Sequence, residues 1–239
     1  MTEHTIALVT GANKGLGLVA ARRLAQQGWT VLLGARDAGR GAAAAAELAE
    51  EGLAVEVVAL DVTSDESVAA AVKRVDETHG RLDVLVNNAG IVGPRVDALE
   101  AGPDELRECY ETNVFGPVRV TRAFLPLLRR SAQPRIVMVS SGMGSLAITT
   151  DPARLESTLV TLPYPSSKAA LNMITSQYAK ALPRFRVNAV DPGYTATDLN
   201  AHSGTQTVQE GTDAVVALAG IGPDGPTGGF FDRVGPVPW

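Results

Sequence analysis

The sequence is poor in the side chains that build disulfides and metal centres. Its 239 residues include one cysteine, Cys109, and three histidines that lie far apart. One cysteine cannot form an internal disulfide, and scattered histidines lack the close spacing of metal ligands. We therefore expect no metal site, and the cysteine usage is typical of a reducing cytoplasm.

The chain also lacks an excess of positive charge and lacks long apolar runs. It has 21 Lys and Arg against 26 Asp and Glu, a net charge of -5, which does not indicate a nucleic-acid-binding surface. No apolar run approaches the roughly 18 residues of a membrane-spanning helix. The first residues are typical of a strand and not of a signal peptide. We therefore expect a cytoplasmic protein with neither a membrane nor a nucleic acid as partner.

Short apolar runs alternate with longer amphipathic segments along the chain. The runs predict strands near 5–10, 30–35, 54–60, 82–87, 134–140, 186–191 and 228–232. The segments between them predict helices near 14–28, 39–51, 65–79, 103–131, 164–182 and 206–219. The strands are nearly continuous apolar runs, as expected for a parallel sheet covered on both faces. This alternation predicts a single doubly wound α/β domain over residues 1–239.

The stretch TGANKGLG, residues 10–17, joins the first predicted strand to the first predicted helix. Gly11, Gly15 and Gly17 permit a tight turn and let a ligand approach the backbone closely. The start of the helix adds unpaired N–H groups and the positive end of the helix dipole. The loop is therefore predicted to bind a phosphate, although glycines also occur in ordinary strand–helix turns.

Three more motifs follow the glycine loop in order: NNAG at 87–90, YPSSK at 164–168 and DPGYTAT at 191–197. Together the four motifs resemble the short-chain dehydrogenase/reductase family over essentially the whole chain. The stretches GANKGLG, GARDAGRG and RLDVLVNNAG are similar to its carbonyl reductase branch. The resemblance implies a Rossmann-type three-layer α/β/α sandwich with a doubly wound, mainly parallel seven-stranded sheet. It also implies a nicotinamide dinucleotide across the carboxyl ends of the strands and a substrate lid around 194–212.

The resemblance further implies a catalytic tetrad of Asn113, Ser141, Tyr164 and Lys168. Tyr164 is implied as the general acid/base, and Lys168 shares its face of the helix four residues later. An ammonium there is expected to lower the pKa of tyrosine from its free value of about 10. Ser141 is implied to orient the carbonyl, with Ser140 as the alternative, and Asn113 is implied to hold a water of the proton relay.

Charges near the glycine loop favour NADP(H) as the cofactor, with NAD(H) as the alternative. The second strand ends at Ala35, where NAD-binding chains usually carry an acid. Lys14, Arg36 and Arg40 are predicted to converge on the 2′-phosphate of NADP, which arginine can bind in bidentate fashion. Asp37, an acid about 20 residues past the loop, is interpreted as a helix N-cap.

The remaining predicted cofactor residues come from matching the family motifs position by position. Asp61 is implied to contact the adenine, Asn87 to hold the sheet near the cofactor, and Thr195 and Thr197 to hold the nicotinamide carboxamide. The full set besides the three cations is Gly11, Asn13, Gly15, Leu16, Gly17, Asp61, Val62, Asn87, Ala89, Gly90, Tyr164, Lys168, Pro192, Gly193, Thr195 and Thr197.

These residues predict the reduction of a small, fairly apolar aldehyde or ketone to an alcohol, or the reverse oxidation. A non-catalytic NADP-binding redox-sensing regulator on the same fold is the alternative, although such proteins typically lack the tyrosine–lysine pair. A dehydratase or epimerase of the extended family is a third interpretation, but it usually needs a larger carboxyl-terminal domain.

The predicted lid contains Gly204 and Gly211, which could supply backbone freedom. The insert 146–163, between Ser141 and Tyr164, is longer than in typical family members and shorter than in monomeric carbonyl reductases. Its length therefore leaves both a monomer and a homo-oligomer open.

Overall fold

A parallel sheet forms the centre of the protein, whose computed structural model describes residues 4–239. The first three residues of the predicted domain lie outside that range. The strands are β1 (Ile6–Thr10), β2 (Thr30–Ala35), β3 (Val55–Ala59), β4 (Val84–Asn87), β5 (Arg135–Val139), β6 (Arg186–Val190) and β7 (Phe230–Phe231). Their order in the sheet is β3-β2-β1-β4-β5-β6-β7, and each neighbouring pair is parallel. The direction of winding reverses between β1 and β4, where α/β sheets bind ligands outside the carboxyl ends of the strands.

The helices lie on both faces of this sheet. They are α1 (Gly15–Ala25), α2 (Ala38–Glu50), α3 (Asp65–His79), α4 (Pro103–Tyr110), α5 (Gly116–Leu128), α6 (Leu146–Thr149), α7 (Pro163–Ala181), α8 (Val208–Gly211) and α9 (Asp213–Ala219). Within residues 4–239, no helix combines the length and the apolar character that crossing a membrane requires.

Two apolar layers explain why the strands are apolar along their whole length. Ile6 and Leu8 of β1 belong to one layer, which packs against α3, α5 and α7. Ala7 and Val9, which alternate with them, belong to the other layer, which packs against α1, α2 and α9. Successive side chains of a strand point to opposite faces, so both faces of the sheet are buried. The predicted parallel sheet covered on both faces is therefore confirmed.

The predicted helix 103–131 is wrong as one continuous helix. A π-helical turn, Glu111–Phe115, separates α4 from α5. The Gly116 N–H donates five residues back, to the carbonyl of Glu111. Pro117 follows and has no N–H to give to the carbonyl of Asn113 four residues earlier, so the α-helical pattern cannot continue unbroken there.

The predicted helix 206–219 is also divided, into α8 and α9, with Thr212 between them. The Arg23 guanidinium donates to the Gln209 carbonyl and to the Thr212 hydroxyl at 2.9 and 2.8 Å. It also pairs with Asp213 at 2.8 Å. One arginine of α1 therefore anchors the junction between the two short helices, which a sequence pattern does not reveal.

Candidate active site

A cleft of about 730 Å³ opens at the carboxyl ends of the central strands. The predicted cofactor residues that line it are Gly11, Asn13, Lys14, Gly15, Leu16, Gly17, Arg36, Arg40, Asp61, Val62, Ala89, Gly90 and Thr197. The sequence interpretation missed other lining residues, among them Thr63, Asn88, Arg95, Glu108, Thr112 and Asp198. The cleft therefore gathers residues from the ends of β1, β2, β3 and β4 and from the predicted lid.

The glycine loop is shaped to hold a phosphate against its backbone. Gly11 and Gly15 have φ of 62° and 55°, a region that favours glycine. A Cβ on Gly17 would lie 2.5 Å from the Gly11 carbonyl oxygen, so no side chain fits there. Lys14, the N-cap of α1, makes no capping hydrogen bond, and the first turn has no acid. The N–H groups at the start of α1 are thus uncapped by the chain and fit the pyrophosphate of a dinucleotide.

Asn88 holds the glycine loop in place, a role that the sequence interpretation missed. Its Nδ2 donates to the carbonyls of Thr10 and Gly11 at 2.8 and 3.2 Å. The neighbouring Asn87 is buried, donates to the Thr121 hydroxyl at 3.0 Å and lies outside the cleft lining. Asn87 thus ties β4 to α5, in keeping with its predicted role of holding the sheet, and Asn88 borders the cleft.

Tyr164, Ser141 and Lys168 meet where β5 and α7 come together. The Ser141 side chain lies near enough to the Tyr164 phenol to lower its pKa by hydrogen bonding. The Lys168 ammonium lies 5.6 Å from the centre of the Tyr164 ring and donates to the Val139 carbonyl at 2.8 Å. Ser140 instead is buried and donates to the Lys168 carbonyl at 3.3 Å, so of the two predicted serines Ser141 faces the tyrosine.

The ionisation of this pair differs from the expected lowering of the tyrosine pKa. Burial raises the pKa of Tyr164 to about 12, the Ser141 hydrogen bond opposes that shift, and the Asp191 carboxylate adds to it. Burial also lowers the pKa of Lys168 to about 8. Burial disfavours the charged form of each group. The pKa of Tyr164 is therefore raised and not lowered as expected, because burial outweighs the hydrogen bond from Ser141.

Asn113 is buried beneath this pair and clamps two elements together. Its Oδ1 accepts from the Ile91 N–H at 2.9 Å, and its Nδ2 donates to the Ile91 carbonyl at 2.8 Å. Nδ2 also donates to the Ser167 hydroxyl at 3.0 Å, next to Lys168. The side chain is therefore fully engaged in positioning the loop after β4 and helix α7.

The whole chain was compared with known proteins. The profile of the short chain dehydrogenase family matches residues 5–207. The chain is 36% identical to (-)-isopiperitenone reductase of Mentha piperita over 300 residues, covering 95% of this chain and 96% of that protein. It is 37% identical to (+)-neomenthol dehydrogenase of Arabidopsis thaliana over 290 residues, covering 98% of both. The crystal structure of NADPH-bound carbonyl reductase from chicken fatty liver matches with a TM-score of 0.87 and 28% identity, covering 99% of both chains.

This chain belongs to the short-chain dehydrogenase family. The alignment with the Mentha reductase, 300 residues, is longer than the 239 residues of this dehydrogenase. That reductase therefore contains segments that have no counterpart here.

The cations at the adenosine end of the dehydrogenase cleft are arranged around two acids. Asp37 accepts from the Arg40 N–H at 2.9 Å, which confirms its predicted role as a helix N-cap. Burial would raise the pKa of Asp61, but hydrogen bonds from Thr63 and the charge of Arg36 hold it below its usual value. Arg36 and Arg40 are exposed on the cleft wall, where a 2′-phosphate can reach them.

Lys14 lines the cleft of the dehydrogenase but does not converge on the two arginines. Its ammonium lies 2.7 Å from a carboxylate oxygen of Asp198, at the start of the predicted lid. His202 lies 2.9 Å from the other oxygen of Asp198. The Lys14 hydrogen bond and charge lower the pKa of Asp198. Lys14 is therefore paired with an acid of the lid, and the convergence of the three cations on a 2′-phosphate stays a prediction.

The base of the predicted lid lies behind the cleft. The Thr195 hydroxyl is buried and donates to the Pro192 carbonyl at 2.8 Å, and Gly193 packs on Gln206. Thr195, Pro192 and Gly193 thus shape the turn under the lid and do not line the cleft, whereas Thr197 does. Their role as direct cofactor contacts stays a prediction, and of the three only the Thr195 hydroxyl is seen to be engaged within the turn.

The two lid glycines are closely packed. A Cβ on Gly204 would lie 2.2 Å from the Thr195 carbonyl carbon, and one on Gly211 would lie 2.3 Å from the Thr195 hydroxyl. The lid residues with positive φ are Ala201 and His202, at 53° and 60°. The lid is therefore a packed turn around Thr195, and backbone freedom at Gly204 and Gly211 stays a prediction.

The lowered pKa of Lys168 predicts how stability changes with pH. The group titrates near 8 in the folded dehydrogenase and near 10.5 when unfolded. Between these values the unfolded chain binds more protons, so stability rises with pH. One pKa unit corresponds to about 1.4 kcal/mol. From pH 8 to 9.5 the wild type should therefore gain about 1.5 kcal/mol of unfolding free energy relative to Lys168→Met.

Urea unfolding of both proteins at the two pH values measures this gain. Lys180→Met is the control, because Lys180 is exposed near the end of the same helix. It should leave the pH dependence unchanged. Parallel pH profiles for the wild type and Lys168→Met would contradict the assignment.

Proposed function

We propose that this dehydrogenase is an NADPH-dependent carbonyl reductase that converts a small, apolar aldehyde or ketone to an alcohol, with Tyr164 as the proton donor. The observation that carries the proposal is the contact of the Ser141 hydroxyl with the Tyr164 phenol above the buried Lys168 ammonium. Gly90, which approaches the Lys168 ammonium, also lines the cleft whose glycine loop fits a dinucleotide pyrophosphate.

Reduction of a carbonyl needs two electrons, delivered as hydride to carbon, and one proton, delivered to oxygen. The nicotinamide of NADPH supplies the hydride when it is bound. Ser141 donates a hydrogen bond that orients the carbonyl oxygen toward Tyr164. The phenol then transfers its proton to the oxygen as negative charge develops there. The products are the alcohol and the oxidised cofactor, and Tyr164 regains its proton from solvent.

The shifted pKa values favour reduction over oxidation. At neutral pH, Tyr164, with a pKa raised to about 12, holds its proton, and Lys168, with a pKa lowered to about 8, is mainly cationic. An alkoxide is a much stronger base than a phenolate, so proton transfer to it is downhill even from a weakly acidic phenol. The Lys168 charge then stabilises the phenolate that remains. Oxidation would need that phenolate before the reaction starts.

Two observations support NADP(H) as the cofactor. No acid stands at the end of β2, where Ala35 is buried, and the exposed Arg36 and Arg40 border the cleft beyond it. Guanidinium groups bind phosphate oxygens in bidentate fashion. The chicken carbonyl reductase, which matches over 99% of this chain, is NADPH-bound.

Exposed apolar side chains that shortly precede Tyr164 in the chain support an apolar substrate. Leu155, Leu159, Val160 and Leu162 are all exposed in the segment that leads into α7, within ten residues of Tyr164. An apolar ketone can cover such side chains and remove them from water. The same segment offers one acid, Glu156, paired with Arg154 at 3.5 Å.

Replacing the proton donor tests the mechanism. Tyr164→Phe should lower kcat for NADPH-dependent ketone reduction by at least about 100-fold, because general acid catalysis contributes at least that factor. The Kd for NADPH, measured by fluorescence, should change less than about twofold. Tyr178→Phe on the same helix, with no lysine four residues later, is the control and should keep its turnover.

The outcomes separate the proposal from the regulator alternative. Wild-type turnover in Tyr164→Phe would show that the assigned donor is wrong. Tight NADPH binding with no turnover of any carbonyl by the wild type would favour a redox-sensing regulator on the same fold.

The arginine next to Ala35 should determine cofactor preference. Arg36→Gln should raise the Kd for NADPH at least about tenfold, since a charge-assisted hydrogen bond contributes roughly 1.5–3 kcal/mol. The Kd for NADH should change less than about twofold. Arg74→Gln, an exposed arginine on α3 away from the cleft, is the control. Equal losses for both cofactors would contradict a contact with the 2′-phosphate.

The Lys14–Asp198 ion pair should compete with the 2′-phosphate. Asp198→Asn removes the charge that holds Lys14 on the lid and should lower the Kd for NADPH by about two- to fivefold, the range for an exposed pair. The Kd for NADH should not change. The double variant with Lys14→Met should lose the gain. Equal tightening of both cofactors would show that Asp198 acts through general charge and not through Lys14.

A further inference from the structure

A second cavity lies at the ends of the strands opposite to the cofactor cleft. It has a volume of about 110 Å³ and is bordered by Arg135, Arg184 and Arg186. Arg135 and Arg186 open the parallel strands β5 and β6 and are partners in register. The cavity is therefore at the amino ends of these strands, whereas Ser141 and Tyr164 lie near their carboxyl ends.

The charges around this cavity are not balanced by the chain. Three arginines line it, and none of its lining residues is an acid. This is unusual in a protein with a net charge of -5, where acids are available to pair with surface arginines. The acid that acts on Arg135 is Asp83, but its oxygens accept from the Ile6 N–H, the Ser131 hydroxyl and the Arg81 guanidinium.

Two of the guanidinium groups are also poorly satisfied. Nε of Arg186 is buried and has no hydrogen-bond partner within residues 4–239, although its Nη2 donates to the Pro223 carbonyl. Arg135 is 8% exposed, and its Nε donates to the Gln133 carbonyl at 3.1 Å. No carboxylate hydrogen bond to Arg135 occurs in the described part of the chain. A buried charged donor without a partner costs free energy, so the site favours a ligand that accepts hydrogen bonds.

A cation–π contact restrains Arg135 on one side of this site. Its guanidinium carbon lies 5.6 Å from the centre of the Trp29 ring. The attraction between the cation and the ring limits the freedom of the guanidinium to turn away. Proline residues at 134 and 223 stiffen the backbone on two sides. The cavity is thus a pre-shaped site and not a loose group of surface arginines.

We propose that this cavity binds one small oxyanion, a phosphate or a carboxylate group. Guanidinium forks match the oxygens of both groups, and an anion both satisfies Nε of Arg186 and neutralises charge. A water molecule could accept a hydrogen bond but could not supply the missing negative charge. The volume suits a single phosphate or carboxylate, since the cleft that fits a whole dinucleotide measures about 730 Å³.

Thermal unfolding in inorganic phosphate, compared with chloride at equal ionic strength, tests the proposal. A ligand that binds the folded state raises Tm in a saturable way. Phosphate can also bind the glycine loop, so the quantity to compare is the part of the Tm rise that Arg184→Gln removes. Arg184 is exposed, so this variant should fold, and Arg186→Gln is the second variant. Arg74→Gln is the control and should keep the full rise.

The expected result is a saturable rise in Tm that falls by at least half in Arg184→Gln and Arg186→Gln and is unchanged in Arg74→Gln. A parallel series in malonate shows whether a carboxylate is the better ligand. Equal stabilisation of all four proteins by either anion, or a rise that never saturates, would overturn the proposal, because the anion would then act elsewhere or through the solvent.

Discussion

The site depends on the burial of one ammonium group without an acidic partner in the described part of the chain. Lys168 is 4% exposed, and a buried charge is costly unless polar groups surround it. The ammonium donates a hydrogen bond to the carbonyl of Val139 at the end of β5, at 2.8 Å. Gly90 passes so close that a Cβ there would lie 3.5 Å from the ammonium nitrogen. Gly144 packs on the Lys168 backbone, where a Cβ would be 2.6 Å away. The requirement to enclose one lysine thus fixes β5, α7 and two loops relative to one another.

Asn113, in the π-helical turn between α4 and α5, also helps to enclose Lys168. Its amide binds both polar groups of Ile91 and reaches the Ser167 hydroxyl, which in turn donates to the Tyr164 carbonyl at 2.7 Å. The π-helical turn, with Pro117 just beyond it, sets this asparagine apart from a regular helix. A distortion that would weaken an ordinary helix here places one side chain between the loop after β4 and helix α7. Such turns often occur at functional sites.

The sequence predicted what depends on local chemistry and on the order of motifs. The short apolar runs between amphipathic segments placed the strands. The residue type of Asp37 indicated a helix cap, and the i,i+4 spacing placed Lys168 beside Tyr164. What it could not predict depends on partners distant in the chain. Lys14 meets an acid 184 residues away, and the Tyr164 pKa shift comes from burial, which no spacing shows. The choice of Asn88 over Asn87 at the cleft rests on the way the strand ends, since neighbouring side chains point in opposite directions there.

The cations at the carboxyl ends of the strands and those at the amino ends have different surroundings, and this difference affects how each group can bind an anion. At the carboxyl ends of the strands, Arg36 lies near Asp61 and Lys14 pairs with Asp198. The charges of these two cations are therefore already compensated by acids of the chain. A phosphate that binds there therefore has to break or share these ion pairs. At the amino ends of β5 and β6, the arginines that line the small cavity have no acid among them. An anion bound there would neutralise these charges without displacing an acid of the chain.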